Sequence, residues 1–198
     1  ANDNADNAII GAPGAGNIIH NTGGNAILIE QADGATIQGN WIGTLDGSTL
    51  SGTGIAFSGI AAMQGGAMDN ITIGGDRLAG EGNVMVGAGD GSYAINTFGI
   101  FTALSIEGNL IGTNSTGSAA IATGNGEGGI NLTGSGSVNV GTPVAGHDNL
   151  IAGNSLDANA HGIRVDAGLT GSIVNNRIGV GLGAEALGNG GSGIYFFD

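Results

Sequence analysis

The densest group of chemically versatile side chains is His161-Gly-Ile-Arg-Val-Asp166, with Asp157 and Asp148 a little upstream. An imidazole, a guanidinium and a carboxylate at that spacing could transfer a proton and hold an anionic group. The same six residues equally suit a strand, with Arg164 and Asp166 alternating outward and His161 in the preceding turn. No catalytic residue is assigned. A second chemistry is oxygen ligation of calcium, because Asp46-Gly-Ser, Asp90-Gly-Ser and the opening Asn2-Asp-Asn-Ala-Asp-Asn7 set carboxylates beside flexible turns. Asp-Gly and Asn-Gly are also the default turn dipeptides, and the Gly-Gly-x-Gly-x-Asp calcium nonapeptide is missing. Calcium at these acidic turns is the one cofactor suggested, with no ligand set assigned.

A third chemistry is contact with sugar rings. If Ile27, Ile55, Ile100, Ile130, Ile163 and Ile194 point inward on one sheet, the next position in each strand points out. That outward row reads Leu28, Ala56, Phe101, Asn131, Arg164 and Tyr195. Glu30, Thr133, Asp166 and Phe197 lie two residues further along. Aromatic rings beside an amide, a guanidinium and a carboxylate suit the apolar faces and hydroxyls of a glycan. Phe101, Asn131, Arg164, Tyr195 and Asp166 are the candidate ligand contacts. Ordinary cross-strand decoration is the competing reading.

The elements that would position these residues follow from composition and periodicity. The chain of 198 residues has 44 Gly, 2 Pro and no Cys, and 40% of it is apolar. Its aliphatics come in runs of three to five between Gly, Asn, Asp, Ser and Thr, a vocabulary of strands and turns. No window holds a 3.6-residue apolar period, so almost no helix is expected. Three Arg, no Lys and sixteen acidic residues give a net charge of −13. Nucleic acid and anionic lipid are therefore poor partners, since both are bound through cationic neutralisation of phosphate. No apolar run is long enough to enter and span a bilayer. Such acidity suits a soluble extracellular protein.

Self-similarity organises the rest. Asn17-Ile-Ile, Asn83-Val-Met and Asn149-Leu-Ile recur 66 residues apart, and Gly39-Asn-Trp-Ile-Gly-Thr44 is echoed by Gly108-Asn-Leu-Ile-Gly-Thr113 and Asn175-Asn-Arg-Ile-Gly-Val180. Three repeats, roughly 1–69, 70–137 and 138–198, each hold two coils of three short strands. First strands are marked by Ile10, Ile37, Ile73, Ile106, Val140 and Ile173. The path from first to second strand is long in odd coils (Gly11 to Gly16, Gly74 to Gly82, Gly141 to Asp148). In even coils it is a two-residue turn. The chain is thus expected to be all-β, a single-domain parallel β-helix of about six three-strand coils. Six coils at a strand spacing of about 4.8 Å make a rod of roughly 29 Å. In the third sheet, Ile29, Phe57, Thr102, Leu132, Val165 and Phe196 form a second inward row with Thr102 its polar interruption. Asn17, Asn40, Asn83, Asn109, Asn149 and Asn176 form a structural column, one per coil, whose amides can bond along the axis. The row Ile18, Trp41, Val84, Leu110, Leu150 and Arg177 is an outward apolar stripe, either a lateral contact surface or the bed of a folded-back loop.

The Gly-Asn-x-Ile-Gly-Thr turns, the segment Gly-Asn-Gly-Glu-Gly-Gly-Ile at 124–130 and the Asn column resemble the right-handed parallel β-helix repeats of secreted and surface-anchored bacterial proteins. These belong to the pectate-lyase-like superfamily. The resemblance spans essentially the whole chain and implies a right-handed coil. It leaves function open, because that superfamily holds polysaccharide-cleaving enzymes, adhesins and modules without activity. Its pectin-cleaving members rely on Arg or Lys to neutralise uronates. His161 and Arg164 are only faintly similar to the Gly-His-Gly and Arg-Ile-Lys elements of polygalacturonases, whose paired-Asp motif has no counterpart here. Both ends lack an evident cap, so the chain is expected to be an excerpt of a longer repetitive protein or a unit that stacks head to tail. The expected role is a non-enzymatic extracellular structural or adhesive module, with a glycan-binding or glycan-cleaving protein as the alternative.

Overall fold

A short apolar strand cannot bury one face alone, and here each one does so by lying on its counterpart one coil away. The computed structural model describes residues 5–50, 52, 54–121, 124–155, 157–166 and 168–197. It is an all-β solenoid of parallel strands with about five full turns and a single short 3-10 turn, Arg77–Ala79, among the described residues. Six rungs stack along the axis, each with three strands, so three ladders run the length of the rod.

In the first ladder Ile10, Ile37, Ile73, Ile106, Val140 and Ile173 pair in register, as their spacing predicts. In the second, the inward column is Ile19, Ile42, Met85, Ile111, Ile151 and Ile178. The third differs from the sequence expectation at two rungs. Its inward column is Ile27, Ile60, Ile95, Ile130, Ile163 and Ile194. Ile55 is buried, but at the preceding corner, bridged to Thr22 and Ala88. Ile100 faces outward and is 53% exposed. The next inward column is Ile29, Ala62, Thr97, Leu132, Val165 and Phe196, so the polar interruption is Thr97 rather than Thr102, and Phe57 stands exposed. Thr97 tolerates full burial because its hydroxyl donates to the Asn131 and Thr133 carbonyls and accepts the Thr133 N–H.

The cause is the third corner. In rungs three and four the third strand runs on into the first strand of the next rung, as Tyr93–Glu107 and Gly128–Val140. The bend falls at Gly134 and Gly136, whose φ of 129° and 104° suit only glycine, and the register shifts between Gly136 and Val138. Side-chain alternation changes phase across such an irregularity, turning one set of side chains from core to solvent.

The Asn column is continuous. Each Nδ2 donates to the Oδ1 of the next: Asn17 to Asn40, Asn40 to Asn83, Asn83 to Asn109, Asn109 to Asn149 and Asn149 to Asn176, at 2.9–3.0 Å. The second amide hydrogen goes to a first-ladder carbonyl, such as Ile37 for Asn83 and Ile73 for Asn109. Each Oδ1 from Asn40 onward also accepts the backbone N–H of the preceding Asn. Burial of these amides is therefore fully compensated.

The two-rung repeat has a steric origin. Odd rungs protrude between first and second strands, and their loops touch two rungs apart, the Arg77 N–H donating to the Gly146 carbonyl at 2.9 Å. Even rungs protrude after the second strand as small hairpins, bridged Thr44–Leu50, Thr113–Ala120 and Val180–Ala186. These also stack on one another, Ser115 N–H to Gly47 at 2.6 Å and Leu182 N–H to Gly117 at 2.9 Å. A loop that folds back on itself is thicker than one strand spacing, so each side of the rod has room for one only on alternate rungs. The even hairpins lie over the outward apolar stripe: Val84, Leu110 and Leu150 are buried, with Trp41, Leu182 and Leu187 packed against them. The stripe is thus the bed of folded-back loops rather than a free lateral surface, except for Ile18 and Arg177 at its two ends.

Candidate functional site

The outer face of the third sheet gathers most of the residues singled out for ligand contact. Pairing places Asn96, Asn131, Arg164 and Tyr195 side by side on four successive rungs. The next outward row holds Phe98, Thr133, Asp166 and Phe197. Four of the five predicted contacts, Asn131, Arg164, Asp166 and Tyr195, therefore share one surface. Phe101 does not: it is 1% exposed, paired with Met68 and Gly136 in the core at the third corner. Its place in the row is taken by Asn96, following from the misassigned Ile100.

These side chains form one bonded network. Asn131 Nδ2 donates to Asn96 Oδ1 at 2.8 Å, and Thr133 Oγ1 donates to Asp166 Oδ2 at 3.0 Å. Arg164 Nε lies 3.3 Å from Asp166 Oδ1, and its guanidinium sits 5.0 Å from the centre of the Phe197 ring. Tyr93 is buried near the same guanidinium, and burial raises its pKa above the ordinary value. Tyr195 stacks on His161 with ring centres 4.4 Å apart. His161 Nδ1 accepts the Ser192 N–H at 3.0 Å, which fixes the neutral ring with its proton on Nε2. Burial first, and then the nearby Arg164 charge, hold the His161 pKa below its usual value. Tyr93, Asn96 and Phe98 escaped the sequence reading, although the outward parity of Asn131 and Arg164, carried back one rung, points to Asn96 and Phe98.

The carboxylates upstream of His161 do not join it. Asp157 caps its own turn, accepting the Asn159 N–H at 2.8 Å. Asp148 lies at the odd-rung loops, bonded to Arg77 at 2.7 Å and 3.3 Å from Arg177 Nε. Two arginines that sit in different coil positions thus converge on one acid and tie rungs three, five and six together. At the Asp46 turn, the carboxylate accepts the N–H groups of Ser48 and Thr49, both at 2.8 Å, and these bonds lower its pKa. The Asn2-Asp3-Asn4 part of the opening lies outside the described residues. Among the described residues no three His, Asp or Glu side chains converge as a metal site would require. A recess of about 980 Å³ runs between the even hairpins and the third sheet over Gly87, Gly126 and Gly153; its one titratable lining residue is Asp90.

No family model, curated protein or solved structure matches the chain.

Every arginine is held by a carboxylate, and the one imidazole on the third-sheet face uses Nδ1 to accept a backbone proton. The arrangement can present flat aromatic rings flanked by polar groups. On this face His161 Nδ1 is taken up by a backbone N–H, and the Asp166 carboxylate by Thr133 and Arg164.

Proposed function

We propose that the chain is a non-enzymatic structural module of an extracellular β-solenoid, serving as a stalk, filament subunit or surface scaffold of the secreted or surface-anchored bacterial type. The observation that carries this reading is where the polar chemistry goes. Buried amides are spent on holding rung to rung, in the six-membered Asn column and in a shorter one, Asn125 to Asn154 at 2.7 Å and Asn154 to Asn189 at 2.8 Å. The arginines likewise tie loops and strands to one another. The acidity of the chain favours solubility and argues against nucleic acid as a partner. The test is incubation with uronate, galactan and alginate polymers, followed for unsaturated or reducing ends. No release is expected; release that Arg164→Ala abolishes would overturn the structural reading.

A second reading, a glycan-binding face without cleavage, is favoured by the Tyr195–His161 stack beside Phe197 and the exposed Phe98. Under it, Tyr195→Ala lowers binding to an immobilised glycan array while leaving the fold unchanged. Equal signals from both proteins would remove the reading.

A further inference from the structure

The even hairpins cover the apolar stripe of the second ladder, but along its edge toward the odd loops a cleft of about 450 Å³ stays open. Trp41, Val84 and Leu110 floor it in rungs two to four. One wall is the odd loop Gly74 to Gly82, which brings Arg77 and leaves space at Gly80 and Gly82; Ser115 of the rung-four hairpin belongs to the other. Trp41 is the only tryptophan of the chain, and the repeat puts Leu110 and Arg177 at the equivalent positions. Its ring is held from one side by the rung-two hairpin, where a Cβ on Gly47 would stand 3.4 Å from Cζ2. An aromatic surface fixed by packing in a recess of this size is a common floor for a ligand. The polar groups around it divide by type. The Trp41 indole N–H and the Ser115 hydroxyl have no hydrogen-bond partner among the described residues. Arg77 gives Nη2 to Asp148 at 2.7 Å and keeps Nε unpaired. The carboxylates in these loops are bonded within their own turns: Asp46 to the Ser48 and Thr49 N–H groups, Asp76 to that of Leu78, and Glu81 to that of Asp76. The side-chain atoms left wholly unbonded are therefore donors.

We propose that this cleft docks a proline-rich segment of a partner protein, extended in the polyproline conformation and flanked by Lys or Arg. Such a segment carries backbone carbonyls that its own chain leaves unbonded, and its prolines bring no N–H groups in need of acceptors. Its rings pack on the indole while the indole N–H donates to a carbonyl, the mode in which aromatic grooves take up extended proline-rich chains. Charge agrees with that occupant. Arg77 is neutralised by Asp148, whereas Asp46, Asp76 and Glu81 leave the flanking loops acidic in a chain of net charge −13. That field attracts cationic flanks and repels a polyanion. A sugar's hydroxyls need acceptors as well as donors, and the carboxylates nearest the cleft are engaged in their own turns. The site lies apart from the third-sheet face and does not depend on the structural-module reading.

Because Trp41 is the only tryptophan, its emission reports on the cleft directly. The 198-residue chain is titrated with an oligoproline peptide bearing an arginine at each end. Parallel titrations use the same peptide with glutamates at the ends, one with glycine in place of proline, and neutral galactan oligosaccharides. A saturable shift of the emission with the arginine peptide, weakened by added salt, is expected. The glutamate and glycine peptides bind about tenfold more weakly or worse, the first for its charge and the second for its lost preorganisation. Trp41→Leu carries the residue found at the equivalent position in rung four and keeps its fold by circular dichroism. It lowers the affinity for a labelled arginine peptide, read by fluorescence anisotropy, by about tenfold or more. Trp41→Phe retains a ring without the N–H and binds with intermediate affinity. Phe98→Ala, on the third-sheet face, binds as the parent does. No response to the arginine peptide in emission or anisotropy overturns the proposal. Equal binding of the glycine peptide overturns the polyproline conformation, and a response to the galactan oligosaccharides alone replaces the peptide by a sugar. Loss of peptide binding in Phe98→Ala with full binding in Trp41→Leu removes the cleft as the site.

Discussion

Replacing Asn109 by alanine tests the column at its most buried point. Asn109 lies in rung four and is fully buried, with its Oδ1 accepting both the backbone N–H and the Nδ2 of Asn83. Its own Nδ2 donates to Ile73, Glu107 and Asn149. Truncation strands the Asn83 N–H and one Asn83 amide hydrogen in a space without water. Each such orphan costs about 1–3 kcal/mol, and a small cavity adds about 1 kcal/mol, so the expected loss is about 3–7 kcal/mol. In a chain of this length that lowers the melting temperature by roughly 10 °C or more. Asn17→Ala is the paired control. Its side chain is exposed and accepts from no ladder amide, and its loss leaves Asn40 Oδ1 still bonded to the Asn17 N–H. About 1 kcal/mol or less is expected there. Urea unfolding by circular dichroism gives the totals. Hydrogen exchange at Asn83 and Leu110 shows whether the damage is local, which matters because a solenoid need not unfold in one step. Equal effects from Asn17 and Asn109, or a loss at Asn109 below about 1 kcal/mol, would refute the view that the amides hold the rungs by satisfying one another.

Three further outcomes are expected. Ile130→Asp puts a carboxylate at a position with no solvent exposure in the third inward column, and should cost about 4 kcal/mol or more; an unchanged melting curve would disprove the inward assignment. Gly117→Val forces a side chain into Leu150 and Leu182 at a φ of 65°, and should lift the even hairpin off its apolar bed. Increased binding of a hydrophobic dye without loss of the first ladder's exchange protection would confirm that, and unaltered dye binding would contradict it. His161 should titrate by NMR below the ordinary histidine value of about 6.5. The sign follows directly: the folded state disfavours the proton, so the contribution is complete above the unfolded pKa and is lost as pH falls through the folded one. Exchange of the Ser192 N–H should rise over the same acid range, because protonation of Nδ1 removes its acceptor; a pKa at or above 6.5 would contradict the bond.

The first and second ladders were legible because each Asn that opens a second strand pins the residues beside it, and a two-residue turn leaves no freedom in counting. The third ladder was legible only in rungs one, four, five and six. In rungs two and three the dipeptides Gly54-Ile55 and Gly99-Ile100 mimic Gly129-Ile130, while the true column passes through Ile60 and Ile95. Loops of unequal length precede those strands, and hydrophobic type alone cannot choose between two isoleucines five residues apart. That one error moved Phe101 from core to surface and hid Asn96 from the candidate site. The Asn125–Asn154–Asn189 column was missed because it spans only the last three rungs and follows hairpins of differing length. The convergence of Arg77 and Arg177 on Asp148 was invisible for another reason: two of the three sit in loops whose path depends on stacking two rungs away, which no local period encodes.

The alternation of protruding loops also constrains how such a chain can lengthen or shorten over evolutionary time. Deleting a single coil would bring two like loops onto neighbouring rungs, where about 4.8 Å of height cannot hold both. Deleting or duplicating a pair leaves every loop facing empty space on the adjacent rung and its own kind on the one beyond. Viable recombination events should therefore come in steps near the 66 residues that separate Asn17, Asn83 and Asn149. Within a step, the exposed tips of the loops can drift in sequence and length while the coil beneath keeps its count.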